Sequence, residues 1–123
     1  MKRKIKFRIW DKEVNEMISG DGFTFDDYIP INYMFNDFKR FDFMQYTGIK
    51  DCEGREIYEG DIIEKEVMEL WIKNTELIGV VKMIDGCWCV ANDKIKVAEY
   101  LWDETDVNRV IGNIYENPEL LED

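Results

Sequence analysis

The pair Asp85-Gly86 limits this chain more than any other two residues. It stands between two apolar runs, Val80–Ile84 and Cys87–Ala91. Asp-Gly is the preferred pair for a two-residue type I′ hairpin, because both turn positions need positive φ. Such a turn sets a register: Ile84 opposite Cys87, Met83 opposite Trp88, Lys82 opposite Cys89 and Val81 opposite Val90. Opposed residues share a face. Val81, Met83, Trp88 and Val90 therefore make an apolar face, while Lys82, Cys87 and Cys89 share the other. Antiparallel sheet has to be built around this hairpin.

Other segments carry the same two-residue period. Lys4–Trp10 alternates strictly, with Ile5, Phe7 and Ile9 on one side and Lys4, Lys6 and Arg8 on the other, as in a half-buried strand. Polar residues Asp11–Asn15 turn it, and Met17-Ile18 returns as a second strand. Phe23-Thr24-Phe25 is a further short alternating piece. From Pro30 the apolar spacing lengthens to three and four residues through Ile31, Met34, Phe35, Phe38 and Phe41. That spacing predicts a short amphipathic helix over 31–40. Nine aromatics fall between Phe23 and Tyr46, either as core beneath the sheet or as an oligomer or partner interface.

Downstream, Phe43–Tyr46 reads as extended, 47–54 as a loop with two glycine turns, and Glu56–Tyr58 as the start of a strand. A long or bent strand follows over 62–72, then a strand from Leu77 to Ile84. Ala98–Trp102 reads as one or two helical turns. Val107–Ile114 is a strand interrupted by Gly112. Asn117-Pro118-Glu119 looks like a helix start, with Asn117 as N-cap and proline in the first turn.

Composition closes several routes to function. The 123 residues include no histidine, which removes Ser-His-Asp and Cys-His catalysis and HExxH metal sites. Ser19 is the one serine. No apolar run approaches the ~20 residues of a membrane span, no signal-peptide core follows the N-terminal cations, and no glycine-rich nucleotide-binding motif occurs. The cysteines, Cys52, Cys87 and Cys89, are sparse and odd in number, which suits a reducing cytoplasm. They lack the paired spacing of a zinc site. Cys-x-Cys on a strand puts both thiols on one face, too far apart for an unstrained disulfide.

Charge is unevenly placed in a chain of formal net charge −11. Residues 1–12 carry six Lys/Arg (Lys2, Arg3, Lys4, Lys6, Arg8, Lys12) against one Asp, whereas 51–69 hold eight acids against two bases and 99–123 eight acids against Arg109. The overall field repels nucleic acid and anionic lipid. The basic opening strand then neutralises the protein's own acidic surface or that of a second copy, and the second case predicts a homo-oligomer.

Two constellations could carry chemistry. Asp26/Asp27 followed by Asp37-Phe38-Lys39 has the acids and lysine of a Mg²⁺-dependent nuclease pattern, in a segment that also reads as a polar helix face. Lys82 opposite Cys89 could lower the pKa of that thiol, or pack as a lysine stem beside a small hydrophobe.

Three segments together resemble the YopX family, small proteins of phages and prophages of Gram-positive bacteria. They are Lys6–Glu13, Phe43–Asp51 continuing through Gly54–Ile63, and Val110–Leu121 with its run GNIYENPELL. By this comparison 22–42 and 66–106 are variable. The resemblance implies a phage-related cytoplasmic protein of a bacterial host cell, with a small β-rich barrel in the second half. It brings no catalytic residues and no cofactor.

The sequence thus predicts an α+β fold, mostly antiparallel β, with a small barrel-like or strongly bent sheet in the C-terminal half and one or two short helices. A single domain over 1–123 is expected, with subdomains 1–55 (hairpin plus helix) and 56–123 (barrel plus C-terminal helical turn). Function points to a non-enzymatic accessory protein that binds another protein, host or phage, with no catalytic, metal or cofactor site. The alternative is a carboxylate/Mg²⁺ enzyme acting on nucleic acid.

Overall fold

Strands occupy most of the described residues. The computed structural model describes residues 6–18, 37, 39–67, 75–102 and 107–122. They belong to two compact units, Met1–Tyr46 and Thr47–Asp123.

In the first unit, β1 (Phe7–Asp11) pairs antiparallel with β2 (Glu16–Ile18) and with the first half of β3 (Phe41–Lys50). The predicted alternation positions Ile9 opposite Ile18 on one side and Phe43 on the other. These three side chains and Phe41 make a small core, with Ile9 fully buried. Asn15, at φ 54, closes the β1–β2 turn, a conformation asparagine tolerates better than most residues. Met44 and Trp10 are also buried, so β1 is covered on both faces rather than on one.

The second unit begins inside β3, whose far end is followed by β4 (Glu56–Tyr58). Five further strands form one antiparallel sheet: β5 (Asp61–Val67), β6 (Thr75–Ile84), β7 (Cys87–Asn92), β8 (Val97–Tyr100) and β9 (Val107–Asn113). Their spatial order is β8-β7-β6-β5-β9. The Asp85-Gly86 hairpin has the predicted register at every pair, and its φ angles of 48° and 82° fit the type I′ turn. The inner face packs Ile57, Ile63, Leu77, Val81, Val90 and Leu101 into one core. Each such side chain contributes about 1.5–3 kcal/mol by leaving water.

The sheet curls into a half barrel, and its seam is tied by polar groups. Lys65 is fully buried. Its Nζ donates to the Leu101 carbonyl at 3.2 Å and to Asn108 Oδ1 at 3.3 Å. Asn108 Nδ2 donates to the same carbonyl at 2.7 Å. The end of β8 is thus joined to the start of β9. Curling also demands close strand approach at Gly79, where a Cβ would lie 2.7 Å from the Ala91 carbonyl oxygen.

Several expectations need correction. Ala98–Trp102 is not helical: its first three residues continue β8, because pairing with β7 outweighs the helix propensity of alanine and glutamate. Thr47–Lys50 is strand rather than loop, with Gly48 bending it at φ 85. Met83 is half exposed at the hairpin tip although it lies on the apolar face. The expected helix over 31–40 falls at 31–36 and 38 outside the described residues, and Lys39-Arg40 form a turn into β3. Phe23–Phe25 and 68–74 lie outside them too. Among the described residues the one helical element is a 3₁₀ turn, Pro118–Leu121. Asn117 occupies its N-cap position without capping it; its Oδ1 accepts from the Asn113 amide at 3.3 Å instead. No helix among the described residues is long and apolar enough to cross a membrane.

Candidate functional site

An open sheet has two edges, and each presents unpaired backbone groups that invite another strand. In this sheet the edges are β9 and β8, and they are treated in opposite ways.

The β9 edge is sealed. The loop after β3 lays Asp51 against it: the Asp51 carboxylate accepts the Val110 amide at 3.0 Å, and the Cys52 amide donates to the Asn108 carbonyl at 2.9 Å. The same carboxylate accepts the Glu53 and Arg55 amides, each at 2.9 Å, and Arg55 Nε at 3.1 Å. Burial works against ionisation of Asp51. The three amides and the Arg55 charge outweigh it and hold the carboxyl below its usual range. Glu53 in turn pairs with Arg55 at 2.8 Å and with Arg109 at 3.5 Å.

The β8 edge carries no such cover among the described residues. The Leu101 amide donates to the Trp88 carbonyl. By antiparallel alternation this directs the peptide groups of Glu99 toward β7 and those of Ala98 and Tyr100 outward. Around these outward groups stand exposed apolar side chains: Ile95, Val97, Tyr100 and Trp102, with Tyr100 66% and Trp102 63% accessible. Lone exposed hydrophobes are ordinary, but here four fall within eight residues of β8 and its flanks.

Beside that edge, on the outer face of the sheet, lies an open cleft of about 330 Å³. Ile84, Cys87, Cys89, Ala98 and Tyr100, which share the outer face by register, line it together with Asp85 and Glu99. That register brings Cys89 against Tyr100 and Cys87 against Ile84. A second opening of about 430 Å³ lies between Val80, Ala91 and the 3₁₀ turn. Lys82 belongs to that second opening, where its Nζ meets both Asp93 oxygens at 3.1 and 3.2 Å.

The pairing of Lys82 with Cys89 is therefore real in register but not in chemistry. Burial pushes the Cys89 thiol up, and Cys87 and Asp85 reinforce the shift. This is the packed thiol, not an activated one. Of the acidic constellation, Asp26 and Asp27 lie outside the described residues. Asp37 Oδ1 accepts the Arg40 amide at 3.3 Å, and Lys39 is exposed. Arg40 is the organising group there: Nε and Nη2 hold Asp11 at 3.0 and 2.9 Å, and Nη1 reaches Glu13 at 3.2 Å. Of the N-terminal cations, Lys12 pairs with Asp42 at 3.0 Å.

Sequence reasoning missed the β8 edge because four residues are too few to display a period. The available signal was the cluster of Val97, Tyr100 and Trp102, residue types favoured in strands. Asp51 was legible only as a turn residue, whose carboxylate typically reaches an amide two residues on.

A family model described as YopX protein matches residues 6–122. No curated protein sequence gives a significant match. Among solved structures, the crystal structure of protein EF1440 from Enterococcus faecalis is similar at TM-score 0.60 and 27% identity, covering 98% of this chain and 100% of that one. The X-ray crystal structure of protein yopX from Bacillus subtilis is similar at TM-score 0.62 and 23% identity, covering 95% of this chain and 98% of that one.

Proposed function

The chain belongs to the YopX family, and from that premise we propose that it acts without catalysis, by binding another protein whose extended segment adds to the edge of β8 that is uncovered among the described residues. One observation carries this reading. The two edges of one sheet differ: Asp51 and Cys52 seal β9, whereas β8 leaves Ala98 and Tyr100 peptide groups outward amid exposed Val97, Tyr100 and Trp102. Strand addition takes its affinity from main-chain hydrogen bonds and its specificity from pockets for alternate side chains. The outer cleft is such a pocket. The partner we propose is a host or phage protein, in keeping with the phage setting that the sequence resemblance implies.

Ala98→Pro tests the reading. The Ala98 amide points away from β7, so proline removes no bond within the sheet while blocking an added strand. The expected outcome is that the folded variant loses a partner retained by the wild type. In the wild-type complex, the Ala98 and Tyr100 amides should gain protection from hydrogen exchange. Equal retention by both proteins, or protection elsewhere, sinks the reading.

A further inference from the structure

Net charge is divided sharply along this chain. Residues 1–46 hold eight acids and eight bases, whereas 47–123 hold nineteen acids against eight bases, so the second unit carries the whole −11. A surface of that charge favours cationic partners at the encounter stage.

The outer cleft repeats this bias locally. Asp85 stands at the cleft itself, and Glu99 lines it from β8 with its side chain on the inner face. Among the described residues neither carboxylate is paired with a cation, and no lysine or arginine lines the cleft. Lys82, the nearest lysine in register, is turned to Asp93 in the neighbouring opening. The Tyr100 ring stands two-thirds exposed in the cleft lining, a face suited to a guanidinium or ammonium. Ala98, Cys87 and Cys89 are small lining residues, which leave space in the cleft for a long side chain.

Resting on the strand-addition reading, we propose that the segment added to β8 is basic, with two consecutive cationic residues. Consecutive side chains of a strand point to opposite faces. One cation on the outer face reaches the cleft between Tyr100 and Asp85. The next, on the inner face, meets Glu99, whose register partner is Val90 on that face. Arginine suits the outer position best, since it combines stacking on an aromatic ring with charge-assisted hydrogen bonds.

The test is an amide NMR titration of the full chain with two blocked hexapeptides. One carries two adjacent arginines in a valine/threonine background; the other carries two norleucines in their place. The expected result is that the arginine peptide shifts amides of 87–89 and 98–100 and binds about tenfold tighter than the norleucine peptide. Glu99→Gln and Asp85→Asn should each weaken it; asparagine tolerates the positive φ at position 85, so the hairpin survives. If both peptides shift the β8 amides with equal affinity, the cationic preference is overturned while strand addition stands. If neither shifts them, both readings fall. If the arginine peptide perturbs only other residues, its binding is general charge attraction and the cleft is not its site.

Discussion

Asp51 and Val110, 59 residues apart in the chain, are joined by one hydrogen bond of 3.0 Å from the Val110 amide to the Asp51 carboxylate. That bond closes one edge of the half barrel, and the carboxylate making it is buried. It accepts four donors in all, three amides and a guanidinium. Sealing one edge confines any strand addition to the other.

Asp51→Ala removes the acceptor for all of these groups at once. Leaving buried amides unsatisfied costs about 1–3 kcal/mol each where water cannot reach them. Partial solvent access at the loop brings the expected total to about 2–4 kcal/mol. Urea denaturation monitored by tryptophan fluorescence reads this. A second consequence is a newly open β9 edge, so the variant should also self-associate more at high concentration than the wild type.

Acid should weaken the fold through Asp51 and Asp11. Both carboxyls lie below the ordinary aspartate value of 3.8 in the folded protein. For Asp11 the first cause is its hydrogen bond to Arg40. A carboxyl with a depressed folded-state pKa stabilises fully above its unfolded value, and that contribution is lost as pH falls through about 4 toward the folded value. Urea midpoints measured between pH 7 and pH 3 should fall in the acid range. Asp51→Asn, which cannot titrate, should show a shallower fall below about pH 5. Parallel curves for the two proteins would refute the assignment.

Gly112 and Asn117 are matched in shape. A Cβ at Gly112 would stand 2.7 Å from Asn117 Oδ1 and 2.8 Å from Asn117 Cβ. Gly112 also sits at the irregularity where β9 carries an extra residue, Ile111, between the partners of Ile62 and Ile63. Gly112→Ala should destabilise by about 1–3 kcal/mol through overpacking. In an Asn117→Gly background the side chain that clashes is gone, so the added cost of Gly112→Ala should drop by about half or more. An additive cycle would mean the strain lies elsewhere.

Asn108 both receives Lys65 and donates to Leu101 across the seam. Asn108→Ala should lower stability by about 1–3 kcal/mol. The effect should be local first: the Leu101 amide, bonded to Trp88 at 2.9 Å, should exchange with deuterium faster than the Val81 and Val90 amides in the core. Uniform acceleration across β6, β7 and β8 would show that Asn108 supports the whole sheet rather than its seam.

By itself the sequence determined what rests on neighbours in the chain. Asp85-Gly86 set the β6–β7 register pair by pair, since positive φ at two consecutive positions admits few turns. Alternation brought Ile9 to the core of β1, and the same period put Cys87, Cys89 and Lys82 on a shared face. Tertiary structure decided what depends on residues far apart. Whether Ala98–Tyr100 became helix or strand turned on backbone hydrogen bonds to β7, because so short a segment has too little propensity of its own. Alternation puts Lys65 on the face of Ile63, but a lysine there lies fully buried only because the curled sheet brings the Leu101 carbonyl and Asn108 to its Nζ. The difference between the two edges was decided in the same way. An acceptor at position 51 and a donor at position 110 meet only when the sheet closes, and no local pattern encodes which edge will be covered.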